Sequence, residues 1–140
     1  MTRAVLWLFC AILGWADLAS VKSEPNAGRR SMLALANADA TLTKAQEAYK
    51  EGDTAKAEAA LAEIRESLEL CVLSLEQTHE RPRNNKFYKH AELTLRPLIR
   101  RIKGFEELVA FEDRSLVEPL EKRAEEIHDR LIDDIMSKRK

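Results

Sequence analysis

Residues Ala57–Leu75, AEAALAEIRESLELCVLSL, decide the fold. Apolar side chains recur at Ala57, Leu61, Ile64, Leu68, Cys71 and Leu75, three and four residues apart. A strand would alternate with a period of two. An α-helix places these positions on one stripe. The run holds neither Gly nor Pro. Towards its end Leu68, Leu70, Cys71, Val72, Leu73 and Leu75 almost encircle the axis. A helix that is apolar on several sides needs cover on several sides. This predicts either a central packing helix or a surplus face for a second molecule. Leu70, Val72 and Leu73 are the candidate partner surface.

The same rhythm extends in both directions. Upstream it runs through Leu35, Ala38, Leu42, Ala45 and Tyr49. Downstream it runs through Tyr88, Ala91, Leu95, Leu98, Ile102, Phe105 and Val109, then through Leu116, Leu120, Ala124, Ile127, Leu131 and Ile135. The breaks fall between these stripes. Gly52 offers the left-handed residue that ends a helix, and Asp53 offers a cap for the next. His79–Lys86 (HERPRNNK) is polar and holds Pro82, so it reads as a loop. Asp113 or Ser115 can cap the last helix, and Ser115 with Glu118 has capping-box spacing. The predicted helices cover about 31–51, 53–79, 85–110 and 114–137. Short connections favour antiparallel neighbours. The expected fold is all-α, an antiparallel up-down bundle of three to four long helices. Pro97 removes a backbone donor inside the third, which predicts a kink there.

The chain has 140 residues, and its start differs from the rest. Arg3 is followed by Ala4–Ala16 (AVLWLFCAILGWA), which carries no charge. A bilayer-spanning helix needs ~20 apolar residues, so this run is short for a span. A basic start, a short apolar stretch and small residues after it describe a secretory signal. Residues 1–23 are therefore expected to be a leader, cut between 16 and 23. Gly14-Trp15-Ala16 fits the small-x-small pattern, and cuts after Ser20 or Ser23 also fit. Phe9 before Cys10 makes a poor lipid-attachment box. Residues 24–34, with Asn26, Gly28, Arg29 and Arg30, read as a flexible tether, and 35–138 as the bundle domain. Removing the leader leaves Cys71 as the one thiol, so no internal disulfide is expected. Its place on the apolar stripe predicts a buried thiol, the alternative being a cross-link to a second chain.

The formal net charge is -1, but its distribution is ordered. Residues 51–80 hold two basic and eight acidic side chains, and residues 81–103 hold eight basic and one acidic. Residues 106–134 hold four basic and eleven acidic. The basic segment has neighbours that can neutralise it. Arg81, Arg83, Lys86 and Lys89 are its candidate binding residues for an anionic lipid or polymer. Nucleic acid is not expected as a partner. Lys138, Arg139 and Lys140 suit the negative end of the last helix.

Ala45, Ala48, Tyr49, Gly52, Asp53, Ala57 and Leu61 resemble the turn of a tetratricopeptide repeat. In that family small residues let two helices cross closely and a Gly-Asp turn reverses the chain. The resemblance covers residues 45–64, lacks the terminal Pro and has no second copy. It implies a helical hairpin scaffold and a role in peptide binding.

Glu-x-x-His occurs twice, as Glu76–His79 and Glu125–His128. Such a pair shares a helix face and can chelate a metal, as in ferritin-like di-iron bundles, where Glu47 and Glu92 would complete the set. His79 lies at a helix end and His128 in mid-helix, so the levels disagree. No nucleophile has an activating context, and glycine-rich phosphate loops are absent from the sequence. The expectation is an exported, non-catalytic helical module, periplasmic or extracellular, without cofactor or metal. Its partner would be an unknown protein or a second copy of itself, with no transmembrane segment in the mature chain. A metal-binding bundle and an adaptor for anionic surfaces are the competing readings.

Overall fold

The computed structural model describes residues 17–137. The run expected to be a signal peptide, up to Ala16, and the basic triplet Lys138–Lys140 lie outside the described residues. Among those described, the protein is all-α. The helices are α1 (Leu18–Lys22), α2 (Ala27–Lys50), α3 (Thr54–Glu76), α4 (Lys86–Leu108) and α5 (Arg114–Met136). Short 3-10 turns at Pro82–Asn84 and Phe111–Asp113 precede α4 and α5.

The long helices match the four apolar stripes, and local chemistry sets their ends. Asn26 Oδ1 accepts from Arg29 N at 2.8 Å, Asp53 Oδ1 from Lys56 N at 3.0 Å, and Asn85 Oδ1 from Phe87 N at 2.9 Å. Each bond satisfies a donor that the first turn leaves orphaned. Gly52 turns the chain at φ 79°, a left-handed conformation that glycine adopts without a Cβ clash. The start of α5 differs from the expected capping. The Asp113 carboxylate makes no cap bond, because it accepts from Tyr49 Oη at 2.8 Å instead, and Ser115 lies inside the helix. Pro97 lies inside α4. Leu93, whose carbonyl loses its usual donor, and Pro97 itself are both exposed, so water can replace that bond.

One part of the N-terminal reading needs correction. The expected tether 24–34 is helical from Ala27 onward, with Gly28, Ser31 and Ala34 buried. Its arginine is an anchor: Arg30 Nε donates to Ser74 Oγ at 2.9 Å, Nη1 to the Glu24 carbonyl at 2.7 Å, and Nη2 to Gln77 Oε1. Ahead of it, α1 packs on α2 and α3, with Leu18 and Val21 buried.

The buried apolar residues form one cluster that draws on all five helices and leaves out Leu18, Ala48 and Ala57. Leu35, Leu42, Ile64, Leu68, Leu75, Leu95, Leu98, Ile102 and Ile127 are its largest fully buried members from α2–α5. The most extensive contact is between α2 and α3, followed by α4 with α5; α2 also meets α4, and α3 meets α5. Along the α2–α3 seam Arg30 meets Ser74, Asn37 meets Ser67, and Thr41 meets Glu63, so the two helices run in opposite directions. Ala34, Ala38, Ala45 and Ala48 line α2 with small side chains that allow this close approach.

Candidate functional site

The basic segment divides into two halves with different surroundings. In its second half, on α4, Arg101 donates to Thr43 Oγ1 at 2.9 Å and pairs with Asp39 on α2. Lys103 Nζ lies 2.6 Å from Glu125 and 4.0 Å from Glu121, both on α5. In the first half Arg81, Arg83, Lys86 and Lys89 are exposed and make no ion pair among the described residues. The Lys86 ammonium lies 5.2 Å from the centre of the Phe87 ring. The expected neutralisation by neighbouring helices therefore holds for part of the segment only.

Near these exposed cations is a cleft of about 600 Å³ at one end of the helices. Asn26 and Gly28 border it from the start of α2, and Gln77 and His79 from beyond the end of α3. Asn85 and Phe87 close it from the α4 side. Several of the polar groups here already have partners. Arg30 is held as above, and Asn85 Nδ2 donates to Thr78 Oγ1 at 2.7 Å. The Phe87 ring lies directly against Gly28, where a Cβ would overlap it.

A second groove, of about 480 Å³, runs between α4 and α5. Arg96, Arg100, Lys103 and His128 line it together with Glu125 and Asp129, over Ile99. At its base Glu92 is buried, and its Oε1 lies 3.0 Å from His128 Nε2 and 2.6 Å from Arg96. Burial alone would raise the Glu92 carboxyl, but Arg96 and His128 hold it below the usual carboxylate range. A histidine oriented by a carboxylate is half of a nucleophile-activating device. The described residues lining the groove include no Ser, Thr or Cys. Further along the same two helices the Glu106 hydrogen bond, followed by burial, pushes Glu121 up to about 7, against the pull of Lys103.

The two Glu-x-x-His pairs do not come together. Glu76 pairs with Arg130 at 2.6 Å, and Glu125 pairs with Lys103. His128 is taken by Glu92, while His79 is exposed in the loop after α3. Glu47 is exposed on α2. Among the described residues no group of three or more His, Cys, Asp or Glu side chains is placed to hold a metal ion.

The proposed partner surface also splits. Leu70 and Val72 are partly buried and pack against the core, while Leu73 is 53% exposed. The reason is angular: at ~100° per residue, Val72 points ~200° away from Leu70. Val72 instead faces Tyr88, Ile127 and Leu131. Cys71 is buried, and burial pushes its thiol up to about 12. A cross-link between chains through Cys71 would require the core to open.

Sequence reasoning missed a different apolar feature. Leu108 is 80% exposed and Phe111 is 81% exposed, on either side of the buried Val109 at the α4–α5 turn. The Arg114 guanidinium lies 5.6 Å from the centre of the Phe111 ring. Tyr49 fixes this turn from α2. Its hydroxyl donates to Asp113 and accepts from Ala110 N at 2.8 Å, and its ring meets Phe105 edge-on at 5.9 Å. The available signal was that Leu108 and Phe111 fall off the Leu98–Ile102–Phe105–Val109 stripe.

No protein-family model matches the chain, and neither a curated protein nor a solved structure does. No helix among the described residues is long and apolar enough to cross a membrane.

Proposed function

We propose that this protein is an exported, non-catalytic scaffold of the cell envelope. In this reading the four long helices form an antiparallel up-down bundle, with α4 bent at Pro97, and present a protein-binding tip. One observation carries it: Leu108 and Phe111 stand in solvent on a turn held rigid by Tyr49. Aromatic and arginine side chains supply most of the energy at protein interfaces, and pre-ordering a turn lowers the entropy cost of binding. The internal use of the His128–Glu92–Arg96 group supports a structural role for the polar side chains. The hairpin resemblance to a tetratricopeptide repeat supports protein binding. The leader-like start supports export.

The test compares wild type with Leu108→Ser/Phe111→Ser in the exporting cell. Both proteins are cross-linked in place and purified through a tag, and sedimentation over a concentration series measures self-association. The scaffold reading expects a discrete adduct or a dimer in wild type that the double variant loses while keeping its helical spectrum. Identical behaviour of the two proteins would remove the tip from the proposal.

A second reading has its own observation. Arg81, Arg83, Lys86 and Lys89 form an exposed basic group that makes no ion pair among the described residues. It fits an anionic lipid or polymer, since each cation near such a surface contributes ~1 kcal/mol. Flotation with anionic vesicles should carry wild type upward and leave Lys86→Glu/Lys89→Glu behind. Equal flotation of both would dismiss it.

A further inference from the structure

We propose that the leader is removed by hydrolysis of the Ala16–Asp17 peptide bond. Asp17 then becomes the first residue of the mature protein, and α1 is kept as part of the fold. This rests on the export reading above. The sequence alone leaves several positions open, since small residues precede the bonds after Ala16, Ser20 and Ser23. The packing of α1 separates them.

A cut after Ser23 would delete all of α1. Leu18 and Val21 would be lost, and Val21 is only 1% exposed and belongs to the main core cluster. A cut after Ser20 would place the new ammonium on Val21 itself, beside a side chain with no access to water. Burying a charge without a partner is strongly unfavourable. That cut would also remove the Asp17 carbonyl that accepts from Val21 N at 3.1 Å. The Ser20 carbonyl, which accepts from Ser23 Oγ at 2.7 Å, would go with it.

A cut after Ala16 does none of this. Water adds across the bond, giving a carboxylate on Ala16 and an ammonium on Asp17. Gly14 and Ala16 supply the small side chains at the third and first positions before the bond. Asp17 is already the N-cap of α1, extended at φ -74° and ψ 166°, with its carboxylate accepting from Ser20 N at 2.8 Å. An ammonium at the start of a helix opposes the helix dipole. Here the capping carboxylate belongs to the same residue and offsets it. Leu18, the next residue, begins the buried face.

The test expresses the full chain, tagged at its C-terminus, in an exporting host. The exported product is read by intact mass and by N-terminal sequencing. The expected sequence starts Asp-Leu-Ala-Ser-Val. A product starting at Ser20, Val21 or Glu24 would overturn the assignment and leave export standing. Full-length protein retained in the cytoplasm would overturn both. Ala16→Gln places a large side chain immediately before the bond, outside the proposed mature fold. It should lower the yield of the Asp17-starting product by about tenfold and accumulate the precursor. An unchanged yield of that product would count against this bond as the processing site.

Discussion

Asn37 Nδ2 donates to Ser67 Oγ at 2.9 Å across the seam of α2 and α3, and both residues are buried. An amide in a core is stable only while its polar atoms have partners. Thr41 Oγ1 extends the seam by donating to Glu63 at 2.7 Å, and Arg30 closes its far end on Ser74. Polar pairs at three levels oppose a slide of one helix past the other, which an Ala-rich seam alone would permit.

The Asn37 pair yields an asymmetric mutational expectation. Asn37→Ala leaves Ser67 without this partner and opens a small void, at about 1–3 kcal/mol. Asn37→Leu with Ser67→Ala replaces both partners by apolar groups and should recover most of the loss. Urea unfolding of the three proteins checks this. A double variant no better than Asn37→Ala would show that the hydrogen bond is not the source of the cost.

Gly28 and Phe87 provide a steric counterpart. A Cβ at position 28 would overlap the Phe87 ring, so Gly28→Ala must displace it. Overpacking of this kind costs about 1–3 kcal/mol. Phe87→Leu in the same chain frees the space and should restore part of the stability. Thermal midpoints of the single and double variants decide the matter, and additive losses would argue that the two residues do not touch.

These two contacts also explain what the sequence could and could not disclose. The four long helices were legible because each keeps its apolar period over several turns, and Gly52-Asp53 marked the tightest connection. The start of α2 was not legible. Asn26, Gly28, Arg29 and Arg30 have loop-like preferences, and their helical state depends on Phe87, Ser74 and Gln77 far along the chain. For the same reason Glu92 read as a candidate metal ligand, because its contact with His128 joins residues far apart in the chain. Asp113 read as a cap until Tyr49 claimed it. The exposed Leu108 and Phe111 escaped notice because composition does not separate a buried seam residue from its neighbours one position away.

Leu68 and Leu73 lie on the same helix and should behave oppositely. Leu68 is fully buried and Leu73 is 53% exposed. Leu68→Ala should cost about 2–5 kcal/mol. Leu73→Ala should stay within about 0.5 kcal/mol. Denaturant midpoints distinguish them, and the reverse order would mean that α3 turns a different face inward.

Cys71 reactivity reports on opening of the core. With its thiol buried and pushed up to about 12, the native protein at pH 8 holds almost no accessible thiolate. A small thiol reagent should modify Cys71 ~10²-fold or more slowly in buffer than in denaturant. Mass spectrometry across a time course gives both rates. Comparable rates would place Cys71 at the surface and reopen the cross-link between chains.

Glu121 sets a pH dependence whose sign follows from its neighbours. The Glu106 hydrogen bond and burial push it up to about 7 in the folded protein. A glutamate in the unfolded chain titrates near ~4.3. Between those values the folded state holds a proton that the unfolded state has released, so stability falls as pH rises. The contribution is whole below about pH 4.3 and gone above about pH 7. Glu69, lowered by its Arg123 hydrogen bond, and Glu92 act in the opposite sense and lose their contribution as pH falls through their folded values. The whole-protein profile mixes these effects, but the difference between wild type and Glu121→Gln isolates one. The variant should match wild type at pH 4 and exceed it at pH 8, by on the order of 1 kcal/mol after solvent screening. Urea midpoints at pH 4, 6 and 8 measure that difference. A gap that stays constant across the three would mean that Glu106 and Glu121 do not share a proton in the folded protein.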